Sequence, residues 1–164
     1  MRLLCLGDVA LADAFLLDKE WDVPGGIDPA RDDRILVNWE LPMGERRNPQ
    51  PRTSGERLLA LPGAQRVVRK WAPGFAAMAT NHILDGGVDG LSGTLRDLES
   101  AGFTTLGAGL TREAIEKPLL WQADEGRLAV VNWVFRETNP DWLAVPGPNC
   151  WPGMDAACQT IQAL

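Results

Sequence analysis

Apolar positions along the chain fall into short runs divided by polar turns, and they keep two different periods. Leu3 to Leu6 is an apolar run that stops at Gly7-Asp8, which reads as a buried strand followed by a polar turn. Arg34-Ile35-Leu36-Val37-Asn38-Trp39-Glu40 reads as a second strand, stopped by Leu41-Pro42. Ala64, Val67, Val68 and Trp71 recur at helical spacing, so a helix is predicted from Pro62 to Ala72, with Pro73 beyond its end. Phe75 to Ala79 is a third strand, ending at Asn81-His82. Val88, Leu91, Leu95 and Leu98 form an amphipathic stripe, and Gly102 closes that helix. Phe103 to Leu106 is a short strand, and Thr111 caps a helical turn that stops before Pro118. Pro118 to Gln122 and Arg127 to Phe135 flank Asp124-Glu125-Gly126 and read as a hairpin. Met154, Ala157, Cys158, Ile161 and Leu164 are spaced for a last helix. Asp18 to Asp33, Gly44 to Gly55 and Asn139 to Pro152 read as loops. Strands alternating with helices predict an α/β fold with a mainly parallel sheet, the hairpin giving it an antiparallel or mixed edge.

Composition narrows the partners. The 164 residues suit one domain spanning 1–164, with 45% hydrophobic and 23% charged residues. A net charge of −6 argues against nucleic acid and against anionic lipid surfaces. The N-terminal apolar stretch is too short for a signal peptide, and no run approaches the ~18 apolar residues of a membrane span. Cys5, Cys150 and Cys158 lack metal-ligand spacing, and Cys5 is expected to pack as a small hydrophobe within its strand. The chain therefore reads as cytoplasmic and reduced. Seven scattered Trp residues read as packing rather than as a base-stacking platform. Arg46, Arg47 and Arg52 make a basic loop, which suits either an anion contact or a solvated surface.

Candidate chemistry gathers at three strand ends: Asp8, then Asn38 and Glu40, then Asn81, His82 and Asp85. In a parallel sheet these ends share one edge, so groups far apart in sequence converge. Asp, Glu and Asn oxygens suit Mg²⁺ or Mn²⁺. His82 is the only histidine, and a lone histidine is more often structural than catalytic. Beside such oxygens it gains a role, protonating a leaving oxygen or stabilising negative charge, with Asp85 orienting the ring. Each residue taken alone has a plainer reading. Asp8 fits an Asx turn, Glu40 a solvated strand end, Asn81 a loop cap and Asp85 a cap of the Val88 helix. Gly107-Ala108-Gly109 lacks the third glycine of a dinucleotide-binding turn.

Leu6-Gly7-Asp8-Val9, Val37-Asn38-Trp39-Glu40-Leu41-Pro42 and Ala79-Thr80-Asn81-His82-Ile83-Leu84-Asp85 resemble the first three motifs of the CapA-type capsule and poly-γ-glutamate synthesis proteins. Those motifs run approximately Gly-Asp, Asn-Leu-Glu-x-Pro and Ala-Asn-Asn-His-x-x-Asp. Gly90-Leu91, Thr94-Leu95, Ala101-Gly102-Phe103, Gly107-Ala108-Gly109, Glu113-Ala114 and Lys117-Pro118 are similar in order and spacing, so the resemblance covers nearly the whole chain. It implies a calcineurin-like metallophosphoesterase: a di-metal site on a β-sandwich flanked by helices, with this chain supplying half of the full α/β/β/α arrangement. By that resemblance Asp8, Glu40 and Asn81 are metal ligands, His82 is the catalytic histidine at the scissile group, and Asp85 is its partner. The cofactor implied is a divalent metal, Mn²⁺ or Mg²⁺, with Fe and Zn as further candidates. The substrate implied is a small-molecule or polymeric anion.

Two later motifs of that family, His-Trp-Gly-x-Glu and Gly-His-x-x-His, have no counterpart here, because no second histidine exists. The chain therefore reads as the N-terminal portion of a metal-dependent hydrolase, incomplete or weakly active at this length. The alternative is a shortened, non-catalytic homologue that binds a partner or forms a homodimer through apolar surface left uncovered.

Overall fold

The structure is a computed structural model, and it describes residues 2–12, 20–23, 26–28, 32–43, 58–123, 126–135 and 145–164. The basic loop with Arg46, Arg47 and Arg52 lies outside the described residues. Four strands, β1 (Leu3–Val9), β2 (Arg34–Trp39), β3 (Gly74–Ala77) and β4 (Phe103–Leu106), form one parallel sheet in the order β1-β2-β3-β4. The α/β expectation is met: helices flank a parallel sheet.

Alternation along β2 divides the core in two. Ile35, Val37 and Trp39 are fully buried on one face. There they meet Val67, Val68 and Trp71 of a 3₁₀ helix (Ala64–Trp71) and Leu91 and Leu98 of α1 (Gly87–Ser100). The segment predicted as an α-helix is thus the tighter 3₁₀ form, whose three-residue repeat sets Ala64 and Val67 on one line and Val68 and Trp71 on the next. Leu36 points to the opposite face. That face is covered by β6 (Leu119–Ala123) and β7 (Gly126–Val130), whose Leu119, Trp121, Leu128 and Val130 pack on Phe75, Ala77 and Leu106. The hairpin forms its own two-stranded sheet across the parallel one instead of extending its edge.

Four smaller elements complete the described chain. β5 (Ala108–Gly109) pairs antiparallel with β8 (Gly147–Pro148), so the segment read as a loop over 139–152 contains a strand residue pair. α2 (Arg112–Glu116) is capped by Thr111, whose side chain accepts from the Ala114 N–H. α3 (Met154–Gln162) buries only Ala157 of its predicted stripe and exposes Met154 and Ile161. No helix among the described residues is long and apolar enough to cross a membrane.

The apolar run Leu3 to Leu6 predicts a buried strand with Cys5 packed inside, but β1 is the edge strand of the sheet and Cys5 is exposed. Cys5 pairs in register with Leu36 and so faces the hairpin side, where β1 is not covered as β2 and β3 are. At its start β1 is tied to β2 by the Arg2 guanidinium, which donates to the buried Asp33 carboxylate at 3.0 Å and 2.5 Å. That bond, helped by the Asp28 N–H, holds the Asp33 carboxyl down to about 2.

A register shift near the end of β1 decides where the site forms. Cys5 pairs with Leu36, yet Asp8, three positions on, pairs with Asn38. The one extra residue is a bulge. It returns Val9 to the helix side beside Trp39 and turns Asp8 to the hairpin side beside Asn38.

The two faces of the hairpin make opposite predictions for adjacent residues. Trp121 is 8% exposed and Leu120 is 54% exposed. Trp121→Ala is expected to cost about 3–5 kcal/mol, and Leu120→Ala no more than about 0.5 kcal/mol. Urea unfolding of the two variants checks this, and similar losses for both would contradict the register.

Candidate functional site

Every polar strand end lies at the carboxyl edge of the parallel sheet. Asp8 reaches it from β1, and Asn38 and Glu40 from β2. β3 delivers the turn Thr80-Asn81-His82, which runs on to Asp85 just ahead of α1. The Asn38 side chain links the first two strands. Its Nδ2 donates to Asp8 Oδ1 at 2.7 Å and to Glu40 Oε2 at 3.0 Å. One amide thus spends both protons on two carboxylates.

The third strand joins through backbone. The Thr80 hydroxyl donates to the Glu40 carbonyl at 2.9 Å, and its oxygen accepts from the His82 N–H at 3.3 Å. This brings His82 and Asp85 within electrostatic reach of Glu40. His82 Nδ1 meets Asp85 Oδ2 at 2.6 Å, and the same oxygen accepts from the Leu58 N–H at 2.8 Å. Asp85 is almost wholly buried, so burial and two partners fix its carboxyl in place. Asp85 directly precedes Gly86, the N-cap of α1. Asn81 stands half-buried in the same turn, between Thr80 and His82.

Electrostatics single out Glu40. Burial pushes its carboxyl above the ordinary range, and the neighbouring Asp8 carboxylate pushes the same way; His82 and the Asn38 amide oppose them. Half-buried Glu40 and exposed Asp8 thus form a carboxylate pair of the kind that could hold a cation. Among the described residues, no three His, Cys, Asp or Glu side chains converge at metal-holding distances. The carboxylates brought together are thus those of Asp8 and Glu40, and Asn81 lies in the turn that the Thr80 hydroxyl ties to the Glu40 carbonyl.

Against this geometry, the family model for bacterial capsule synthesis protein PGA_cap matches residues 3–158. The chain belongs to that family. The matched span includes β1 to β4, the 3₁₀ helix and α1, and with them all three strand ends. No curated protein matches the chain.

Two residues of this edge carry no motif and were missed in the sequence. Asn132 accepts from the Ala79 N–H, and Asn149 donates to the Asn132 carbonyl. Only a hairpin-to-sheet register would have pointed to them. A separate groove of about 760 Å³ runs between α1, β4 and the start of β6, lined by Arg96, Thr105, Lys117 and Leu120. It holds none of the strand-end residues, and chemistry rather than volume locates the site.

Glu40 yields a signed pH dependence. A carboxyl whose pKa is raised on folding favours the folded state while protonated, and withdraws that support as pH rises through the interval between its unfolded and folded values. Glu40→Gln mimics the protonated form. With chelator present, its gain in Tm over the natural chain is expected to be larger at pH 7 than at pH 4. An equal gain at both pH values would contradict the raised pKa.

Proposed function

We propose that this capsule synthesis family member is a metal-dependent hydrolase of the metallophosphatase kind, acting on a phosphoester or related bond in an anionic substrate of capsule or poly-γ-glutamate synthesis. The observation that supports it is the acidic pair Asp8–Glu40, bridged by Asn38 and set beside the His82–Asp85 pair. An all-oxygen donor set of two carboxylates and an amide fits one hard cation, Mg²⁺ or Mn²⁺, better than the softer metals. Asp8 and Glu40 would hold it, with Asn81 contributing its carbonyl. When bound, the cation would supply Lewis acidity toward a phosphoryl oxygen and a more acidic water.

The chain's own groups account for the rest. Asp85 holds His82 Nδ1 and fixes the ring, so Nε2 is the nitrogen that exchanges a proton with the leaving oxygen. Asn38 keeps the two carboxylates from drifting apart, and Thr80 holds the His82 turn against the Glu40 carbonyl.

One feature favours a second reading, a binding domain that pairs with a second copy of itself. Met154 is 68% and Ile161 56% exposed on α3. Sedimentation showing a monomer at tens of micromolar would dismiss it.

The lead reading is tested by melting in the presence of Mn²⁺. At about 100 times Kd the expected stabilisation is about 2.7 kcal/mol, a rise of roughly 5–10 °C in Tm for a chain of this size. Asp8→Ala is expected to abolish the rise. No rise in the natural chain would overturn the proposal.

A further inference from the structure

β3 ends at Ala77, and Ala79 is already outside its ladder. The backbone there is nevertheless fixed. The Ala79 N–H donates to Asn132 Oδ1 at 2.6 Å, a side chain 53 positions further along. Asn132 is itself clamped, since its carbonyl accepts from Asn149 Nδ2 at 3.1 Å. Asn149 is buried, and its backbone is bound on both sides: its N–H donates to the Gly107 carbonyl at 2.7 Å, and its carbonyl accepts from the Val134 N–H at 2.9 Å.

Gly107 completes the arrangement. It sits at φ +81, and a Cβ there would stand 2.3 Å from Asn132 Oδ1. No other residue both accepts that backbone conformation and leaves the amide its place. The Gly-Ala-Gly segment, too short for a dinucleotide turn, is thereby given a different use: Gly107 seats Asn132, and Gly109 makes room for Ala114 of α2.

We propose that Asn132 is a positioning residue of the site, setting the Asn81-His82 turn over Glu40 through its bond to the Ala79 N–H. The inference rests on the reading of the strand-end cluster as the functional site. Ala79 is one residue before Thr80, whose hydroxyl links Glu40 to the His82 N–H. The path from Asn132 to the imidazole is therefore one residue of backbone and two hydrogen bonds. Ala79 is buried, so an N–H deprived of Asn132 would not regain its bond from solvent without movement of the turn.

The test uses the full ¹⁵N-labelled chain, in which one histidine gives one set of ring signals. In Asn132→Ala, amide exchange at Ala79 is expected to quicken at least tenfold and the His82 ring signals to move, with the far-UV spectrum unchanged. Asn132→Asp keeps an acceptor oxygen and is expected to restore Ala79 protection and bring the ring signals back toward those of the natural chain. Unchanged exchange and ring signals in Asn132→Ala, or no restoration in Asn132→Asp, would overturn the proposal. Should Asn132→Ala fail to fold, Asn132→Gln sets the amide one methylene too far and is expected to show the same two changes; their absence there would also overturn it. Neither readout requires a cation. A natural chain that binds no Mn²⁺ would thus refute the hydrolase reading and leave the role of Asn132 to be decided by exchange.

Discussion

The parallel pairing of β1, β2 and β3 is the constraint on which everything else in this molecule depends. Parallel strands send all their carboxyl ends to one edge, and here those ends carry Asp8, Asn38 with Glu40, and the His82 turn. The bulge in β1 refines this by one residue. Val9 stays with Trp39 in the helix-side core, and Asp8 turns to the Asn38 amide. Packing and site are thus set by the same register. The fully buried Ile35, Val37 and Trp39 hold β2 in phase, and that phase aims Asn38 and no other residue of β2 at both carboxylates.

The cluster has an electrostatic cost that the fold absorbs. Glu40 is desolvated beside Asp8, and its carboxyl is correspondingly reluctant to ionise. Asn38 offsets part of that repulsion with two hydrogen bonds, and Asp85 is satisfied separately by His82 and the Leu58 N–H. An arrangement that is costly for stability and pinned from three strands leaves its groups little freedom to reorganise, which is a property binding sites share. The chain's family match spans all three of those strands.

Much of this was legible in the residues, for physical reasons that differ by element. Apolar runs broken by Pro and Gly located β2, α1 and β4 closely, since burial on both faces or one stripe leaves a clear period. The strand-end residues stood out because polar groups following buried strands are few. Cys5 was misjudged because an edge strand and a central strand share one apolar pattern, and only pairing tells them apart. The hairpin was recognised, but its place across the sheet depends on Trp121 and Leu119 meeting Phe75 and Leu106, contacts no local pattern encodes. Asn132 and Asn149 were invisible for the same reason: their partners lie across the fold, and an isolated Asn has no period.

The central claim is that strand ends from β1, β2 and β3 make one cation-binding edge with His82 beside it. Paramagnetic broadening by Mn²⁺ tests it most directly, because His82 is the sole histidine and its ring signals are unambiguous. The account requires those signals to broaden beyond detection at substoichiometric Mn²⁺, ahead of residues on the helix side of the sheet. Ring signals that stay sharp in excess Mn²⁺ would contradict it.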